Sequence, residues 1–266
     1  MPRYPVTLMA HPELDLTGST AVVIGGTSGL GRAIAEGLAQ GGANVVPTGR
    51  RAELVEQAAA AVRKLGRKSL AAPCDVTDRA SLEGLLKAAV AEFGSVEILV
   101  NAAGQTKRTP TLKVSDAEWQ QILETNLNGA FRACQVFGAH MLERKYGRII
   151  NIASIASFVS LYEVAAYAAS KSALASLTKT LAIEWAQHGV CVNAIAPGVY
   201  RTDLNAGLLD GTARGQEFLT RIPMRRWGKP QELVGAAVFL ASKAASYVTG
   251  HLLAVDGGFL ASGVNQ

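Results

Sequence analysis

Apolar and polar positions follow two rhythms along this chain, and the rhythms alternate. Residues 21–24 are a short β-branched run that ends in glycines, and residues 30–40 then place Leu30, Ile34 and Leu38 at helical spacing. Residues 44–46 are strand-like, and residues 51–65 set Leu54, Ala58, Val62 and Leu65 on one helical face. A further strand is expected at 69–72, a helix over 79–92 and a strand at 96–100. Ser115 and Glu118 have the spacing of a capping box, opening a helical stretch to about residue 144. Strands at 148–152, 190–195 and 251–255 follow. Between them lie an alanine-rich helix over 163–187 and a helix that Pro230 starts and that runs to about 241.

Apolar strands thus alternate with helices about seven times. That pattern predicts an α/β fold: a doubly wound parallel sheet of about seven strands, covered by helices on both faces, with right-handed crossovers. A chain of 266 residues suits one domain of this kind. Pro2, Pro5 and Pro12 mark 1–17 as an irregular arm, which leaves 18–266 as the domain. No linker or internal repeat interrupts it. Residues 199–229 read as irregular, and a segment that long in a compact fold suggests a binding lid.

Composition narrows the function classes. Hydrophobic residues make up 49% and charged residues 18%, which excludes a disordered chain. The net charge of +5 includes no basic stripe or reader motif, so nucleic-acid binding is not expected. The runs at 63–68 and Arg225-Arg226 read as solvated surface, and the mild positive balance equally suits an anionic ligand. Cys74, Cys134 and Cys191 are odd in number and far apart, which suits a reducing, cytoplasmic setting rather than a disulfide framework. His11, His140, His188 and His251 have no metal-binding spacing, so no metal is expected. Neither a signal peptide nor a membrane-spanning segment is expected.

Candidate chemistry begins after the first strand. Gly25-Gly26-Thr27-Ser28-Gly29-Leu30-Gly31 has the pattern G-x-x-x-G-x-G at a strand-to-helix junction. Glycines there let a backbone approach a pyrophosphate, and the helix N-terminus offers free N–H groups. An ordinary strand–helix turn is the alternative; the position after strand one in a series of βα units favours a nucleotide. The second strand ends in Thr48-Gly49-Arg50-Arg51, with Gly49 where an acid for an unphosphorylated ribose is expected. Arg50 either grips a 2′-phosphate or begins a solvated helix. NADP is the expected cofactor, with NAD as the alternative.

Tyr167 and Lys171 stand at i, i+4 and share a helical face. A lysine cation beside a phenol is expected to lower the phenol's pKa and fit it for proton exchange with an alcohol. The spacing alone also fits a bare surface pair. Ser154, at the end of the strand before, is placed to hold a substrate oxygen. Asn126, in the long helix before that strand, holds either a water linking Lys171 to solvent or a helix–helix hydrogen bond.

With these residues the chain resembles the short-chain dehydrogenase/reductases, a family with a Rossmann-type sheet. Five motifs match in order over residues 14–260: the glycine loop at 25–31; Cys74-Asp75-Val76; Asn101-Ala102-Ala103-Gly104; Ser154 with Tyr167-x-x-x-Lys171; and Pro197-Gly198 followed by Thr202. The resemblance implies that Tyr167 is the acid/base and that Ser154 orients the carbonyl. It implies that Lys171 binds the cofactor ribose and tunes Tyr167, and that Asn126 completes a proton relay. Asp75 and Val76 would contact adenine, and Asn101 and Gly104 would line the groove. Pro197 and Gly198 would border the cofactor, and Thr202 would hold its carboxamide. Two positions depart from the family pattern: Ile24 where Thr is frequent, and Ala102 where a second Asn is usual. Each is expected to loosen a structural hydrogen bond without removing a reacting atom.

The C-terminal third, at 226–240 and 250–260, is similar to the gluconate 5-dehydrogenase branch of that family, as is Lys107-Arg108-Thr109-Pro110. A carboxylate on a small-molecule substrate would meet Lys107, Arg108 or Arg201, unless these are plain loop charges. Two other readings stay open. A 3-oxoacyl-[acyl-carrier-protein] reductase would use basic residues against an acidic carrier. A non-catalytic nucleotide-binding scaffold would typically have lost the Ser, Tyr or Lys that are all present here. The resemblance also implies a homotetramer packed through the helices at 115–144 and 163–187.

Overall fold

The structure is a computed structural model, and it describes residues 11–202 and 206–264. Six strands form one parallel sheet: β1 (Thr20–Ile24), β2 (Asn44–Thr48), β3 (Ile98–Asn101), β4 (Gly147–Ile152), β5 (Val190–Pro197) and β6 (Leu252–Val255). Their spatial order is β2-β1-β3-β4-β5-β6. The principal helices are α1 (Gly29–Gln40), α2 (Ala52–Lys64), α3 (Arg79–Phe93), α4 (Asp116–Leu123), α5 (Gly129–Glu143), α6 (Ala165–Trp185), α7 (Ala206–Leu209), α8 (Ala213–Arg221) and α9 (Val234–Ala241). Among the described residues no helix is long and apolar enough to cross a membrane.

Strand geometry sends successive side chains to opposite faces, and the core divides accordingly. Ala21, Val23, Ile98, Val100 and Ile150 pack with Ile34 and Leu38 of α1 and Leu240 of α9. Val22, Ile24, Leu99 and Ile149 pack with Leu85 of α3 and Phe137 of α5 on the other face. Both faces are apolar, so the strands read as continuous hydrophobic runs rather than as alternating ones.

The expected strand at 69–72 does not form. The Val45 N–H donates to Lys68 O, but Pro47, two residues on and facing the same edge, has no N–H for a second rung. Instead the Thr48 hydroxyl donates to Ala72 O, and the Cys74 N–H donates to Gly49 O. The segment therefore runs beside β2 without a ladder, and the sheet has six strands.

The arm expected at 1–17 lies outside the described residues as far as residue 10. Pro12–Leu14 form a 3₁₀ turn, and Leu16 is buried in the core facing α1. The long helix expected to 144 is α4 and α5 joined by a π-helical turn, Glu124–Asn128. The excursion at 199–229 leaves and returns at one point, where Tyr200 bridges to Gly228. It contains α7 and α8.

Candidate active site

Reversal of strand order puts a crevice beyond the carboxyl ends of β1 and β3, the usual ligand position in a doubly wound sheet. The glycine loop forms one wall. Gly25 has φ 83°, and a Cβ there would lie 2.5 Å from Ala103 N. At Gly31 a Cβ would collide with Gly25 O. These glycines seat the loop against the 102–103 segment, and the small Ala102 and Ala103 leave room for it. Ile24, the other departure from the family pattern, is fully buried in the core. Ser28 caps α1 without a side-chain hydrogen bond, and among the described residues no other side chain accepts from the first N–H groups of α1. Leu30 packs beneath the loop against the core.

The remaining cofactor candidates border this wall. A Cβ on Gly49 would approach Thr27 Oγ1 at 3.2 Å, which brings the end of β2 and exposed Arg50 beside the loop. Asp75 accepts from the Thr77 N–H (2.9 Å) and hydroxyl (2.8 Å); these bonds, with the Arg50 cation, hold its carboxyl below the usual range. Val76 packs against Gly129. Gly198 follows Pro197 at the end of β5 and donates to Val255 O, and the Thr202 methyl faces Gly29. An open glycine cradle, bare helix N–H groups and an arginine at the end of β2 together fit a phosphorylated dinucleotide.

Asn101 is placed differently from the expectation drawn from the family. Its amide points into the interior, donating to Asn151 Oδ1 (2.9 Å) and Cys134 Sγ (3.3 Å). Asn151 in turn donates to the Thr178 hydroxyl. This puts a polar network under the ends of β3 and β4, with Asn101 Oδ1 buried and lacking a partner. The side chain acts on the crevice through the backbone it braces. Asn151, a polar residue inside an apolar strand, was the sequence signal for this network.

Ser154, Tyr167, Lys171 and Asn126 converge. Ser154 follows β4, and its Oγ accepts from Ala156 N and lies near enough to the Tyr167 phenol to favour its ionised form. Lys171, one turn along α6, is buried and donates from Nζ to Ile152 O at 2.7 Å. Its Nζ lies 5.8 Å from the Tyr167 ring centre. The π-helical turn faces Asn126 inward, where Oδ1 accepts from Gln105 N (2.8 Å) and Nδ2 donates to Gln105 O (2.9 Å) and Ser170 Oγ (3.1 Å). A Cβ on Gly104 would lie 3.5 Å from both Asn126 Oδ1 and Lys171 Nζ, so Gly104 marks where the two meet. Gln105 and Ser170 are partners that sequence reading missed, although Ser170 stands inside the Tyr-x-x-x-Lys motif.

Electrostatics depart from the expectation. Burial pushes the Tyr167 phenol up, and the nearby Ser154 hydroxyl only partly opposes this. Burial also pushes Lys171 down to about 8. Helical spacing brings the pair together, but desolvation, which penalises both charged forms, outweighs their attraction.

The cations expected at the rim all have acidic partners. Lys107 pairs with Glu118 at 2.7 Å, Arg108 with Glu163 at 2.6 Å and Arg201 with Asp210 at 2.7 Å. Ser115 caps α4 by accepting from the Glu118 N–H, but the Glu118 carboxylate turns to Lys107 and Thr109 rather than closing the box.

Comparison with known proteins gives the family. A family model described as enoyl-(acyl carrier protein) reductase matches residues 24–260. Gluconate 5-dehydrogenase of Gluconobacter oxydans is 39% identical over 96% of this chain and 100% of its own. The 2-dehydro-3-deoxy-D-gluconate 5-dehydrogenase of Escherichia coli is 42% identical over 95% of this chain and 100% of its own. A crystal structure of a gluconate 5-dehydrogenase from Burkholderia cenocepacia, in complex with NADP and tartrate, superimposes with a TM-score of 0.90 at 37% identity. It covers 94% of this chain and 98% of that one. This chain belongs to the short-chain dehydrogenase family.

Proposed function

We propose that this protein is an NADP(H)-dependent oxidoreductase that interconverts a secondary alcohol and a ketone on a sugar acid of the gluconate/5-ketogluconate class. The observation that carries the reading is the convergence of Ser154, Tyr167, Lys171 and Asn126 beside a glycine cradle that excludes a Cβ. The sugar-acid relatives and the NADP-bound neighbour support it.

NADP, when bound, supplies the hydride acceptor or donor. Gly25, Thr27, Ser28, Gly29 and Gly31 would hold its phosphates, with Arg50 at a 2′-phosphate. Ser154 Oγ and the Tyr167 hydroxyl, close to each other, would hold the substrate oxygen between them. With its pKa raised above the ordinary phenol value, Tyr167 is protonated at neutral pH and enters ketone reduction in its acid form. It gives its proton to the nascent alkoxide and takes one back in the reverse direction. Lys171, with a pKa near neutrality, stabilises the resulting phenolate. Asn126 braces the wall at Gln105, close to the ammonium.

The reading is tested by following loss of NADPH absorbance with a panel of ketones. Rapid turnover of 5-ketogluconate is expected. Turnover of acetoacetyl thioesters alone would replace the reading with a 3-oxoacyl-[acyl-carrier-protein] reductase. We also propose a homotetramer built through α5 and α6, which expose Phe131 (40%) and Ile183 (79%). A single species sedimenting at monomer mass would overturn it. Three separate, buried thiols support residence in the reducing cytoplasm.

A further inference from the structure

We infer that Arg214 on α8 joins Arg108 to form a two-armed clamp for the substrate's carboxylate, with Glu163 as the post between the arms. The inference rests on the sugar-acid reading above and names the residues that would give it selectivity. Neither Arg214 nor Glu163 belongs to a family motif recognised in the sequence.

Both guanidiniums converge on one turn. Arg108 Nε lies 2.6 Å from Glu163 Oε2. Arg214 Nη1 donates to Tyr162 O, the residue before Glu163, at 3.3 Å. Thr109 N, next to Arg108, donates to Glu163 O at 2.8 Å. Glu163 itself has φ 63°, a left-handed conformation that a non-glycine residue holds only when its surroundings impose it. Three segments far apart in the chain are therefore tied at this turn: the loop after β3, the lead-in to α6, and the first turn of α8.

The turn is close to the active site in the chain. It lies between Ser154 and Tyr167, and α6 begins two residues after Glu163. Phe218, one turn beyond Arg214, packs onto the cluster of Ile155, Ile222 and Phe259, so α8 lies over the residue that follows Ser154. The Arg214 guanidinium sits 5.4 Å from the centre of the Phe218 ring, which limits its freedom.

Arg214 sits among the Arg108 cation and two carboxylates, Glu217 on its own helix and Glu163 on the turn. Of these acids only Glu163 is bonded to Arg108, while Glu217 is exposed on α8. The Glu163 side chain is 17% exposed and that of Arg108 46%, so the acid is tucked in while the cation keeps an open edge. Two guanidiniums also carry more donors than Glu163 and one carbonyl accept. A planar carboxylate would satisfy the remaining donors of both arms at once. Burial and the nearby Arg108 cation push the Arg214 pKa down, an effect that an anion bound between the two guanidiniums would oppose.

The test compares two ketones that differ only at the group in question. L-sorbose is 5-ketogluconate with its carboxylate replaced by a hydroxymethyl group. The wild-type protein is expected to prefer 5-ketogluconate in kcat/KM. Arg214→Gln is expected to lower that preference at least tenfold, mainly through KM for the acid, and Arg214→Lys to restore part of it. Added salt should raise KM for the acid and leave that for L-sorbose in place. Equal losses on both ketones would assign Arg214 a purely structural role in the excursion, and an intact preference would remove it from recognition; either overturns the clamp and leaves the sugar-acid reading standing. A wild-type protein that shows no preference for the acid would sink both.

Discussion

Lys171→Met separates the energetic cost of the site from its use. The ammonium is buried, and its pKa falls from the ordinary 10.5 to about 8 because burial penalises the charged form. That difference corresponds to roughly 3 kcal/mol of destabilisation below pH 8. Between about pH 8 and 10.5 the unfolded chain binds a proton that the folded one does not. Stability from this group therefore rises with pH across that window and is flat on either side. Methionine fills similar space without the charge, but it abandons the 2.7 Å bond to Ile152 O, leaving a buried carbonyl at a cost of about 1–3 kcal/mol. At neutral pH the two effects nearly cancel, so the variant should fold about as well as the wild type while losing turnover. The assay is denaturant unfolding of both proteins from neutral pH to about 10.5. The stability difference, wild type minus variant, should climb by about 3 kcal/mol over that range. A difference that stays flat would show that Lys171 titrates as an exposed lysine does and would refute the desolvation argument.

Three further outcomes are expected. Tyr167→Phe should cut turnover about a thousandfold while nucleotide binding, followed by fluorescence, persists; near-normal turnover would remove Tyr167 as acid/base. Arg50→Ala should raise KM for NADPH by about ten- to a hundredfold, the loss of a charge-assisted contact, and spare NADH; equal effects on both would make Arg50 only the start of a solvated helix. Leu16→Ala should cost about 2–5 kcal/mol in denaturant unfolding, since Leu16 is 2% exposed in the core facing α1. A loss below about 1 kcal/mol would place this residue outside the cooperative unit.

Local signals made much of the architecture legible. The six strands are largely apolar runs, and burial on both faces makes such runs conspicuous. The strand expected at 69–72 failed on one atom, the N–H that Pro47 lacks, which matters only once the neighbouring edge is known. Tyr167 and Lys171 were legible as neighbours because a helix relates i to i+4 directly. Their proton affinities were not, since desolvation depends on what the rest of the chain packs around them. Asn126 was legible as a residue but not in orientation, because a π-helical turn resets the helical phase at that point. Arg214 and Tyr162, whose carbonyl it meets, lie 52 positions apart and come together through a left-handed turn at Glu163 and an irregular excursion, neither of which has a period to read.

The site divides into two parts with different mechanical support. Ser154, Lys171 and Asn126 are buried, each hydrogen-bonded to backbone of the sheet ends or the adjoining loop. Replacing any of them leaves a buried partner unpaired, so that part resists change. Lys107, Arg108 and Arg201 instead sit on loops or in the excursion, in half-exposed ion pairs, where a substitution typically shifts stability by less than about 1 kcal/mol. Recognition groups placed there can be exchanged without disturbing the proton-transfer frame beneath them. The relatives fit this division: at about two-fifths identity over nearly the whole chain, they are named for two different sugar acids but for the same oxidation at carbon 5. A frame that holds its reacting atoms by core contacts, and reads its substrate through loops that carry almost none of the stability, would diversify in that way: new substrates at the rim, one chemistry below.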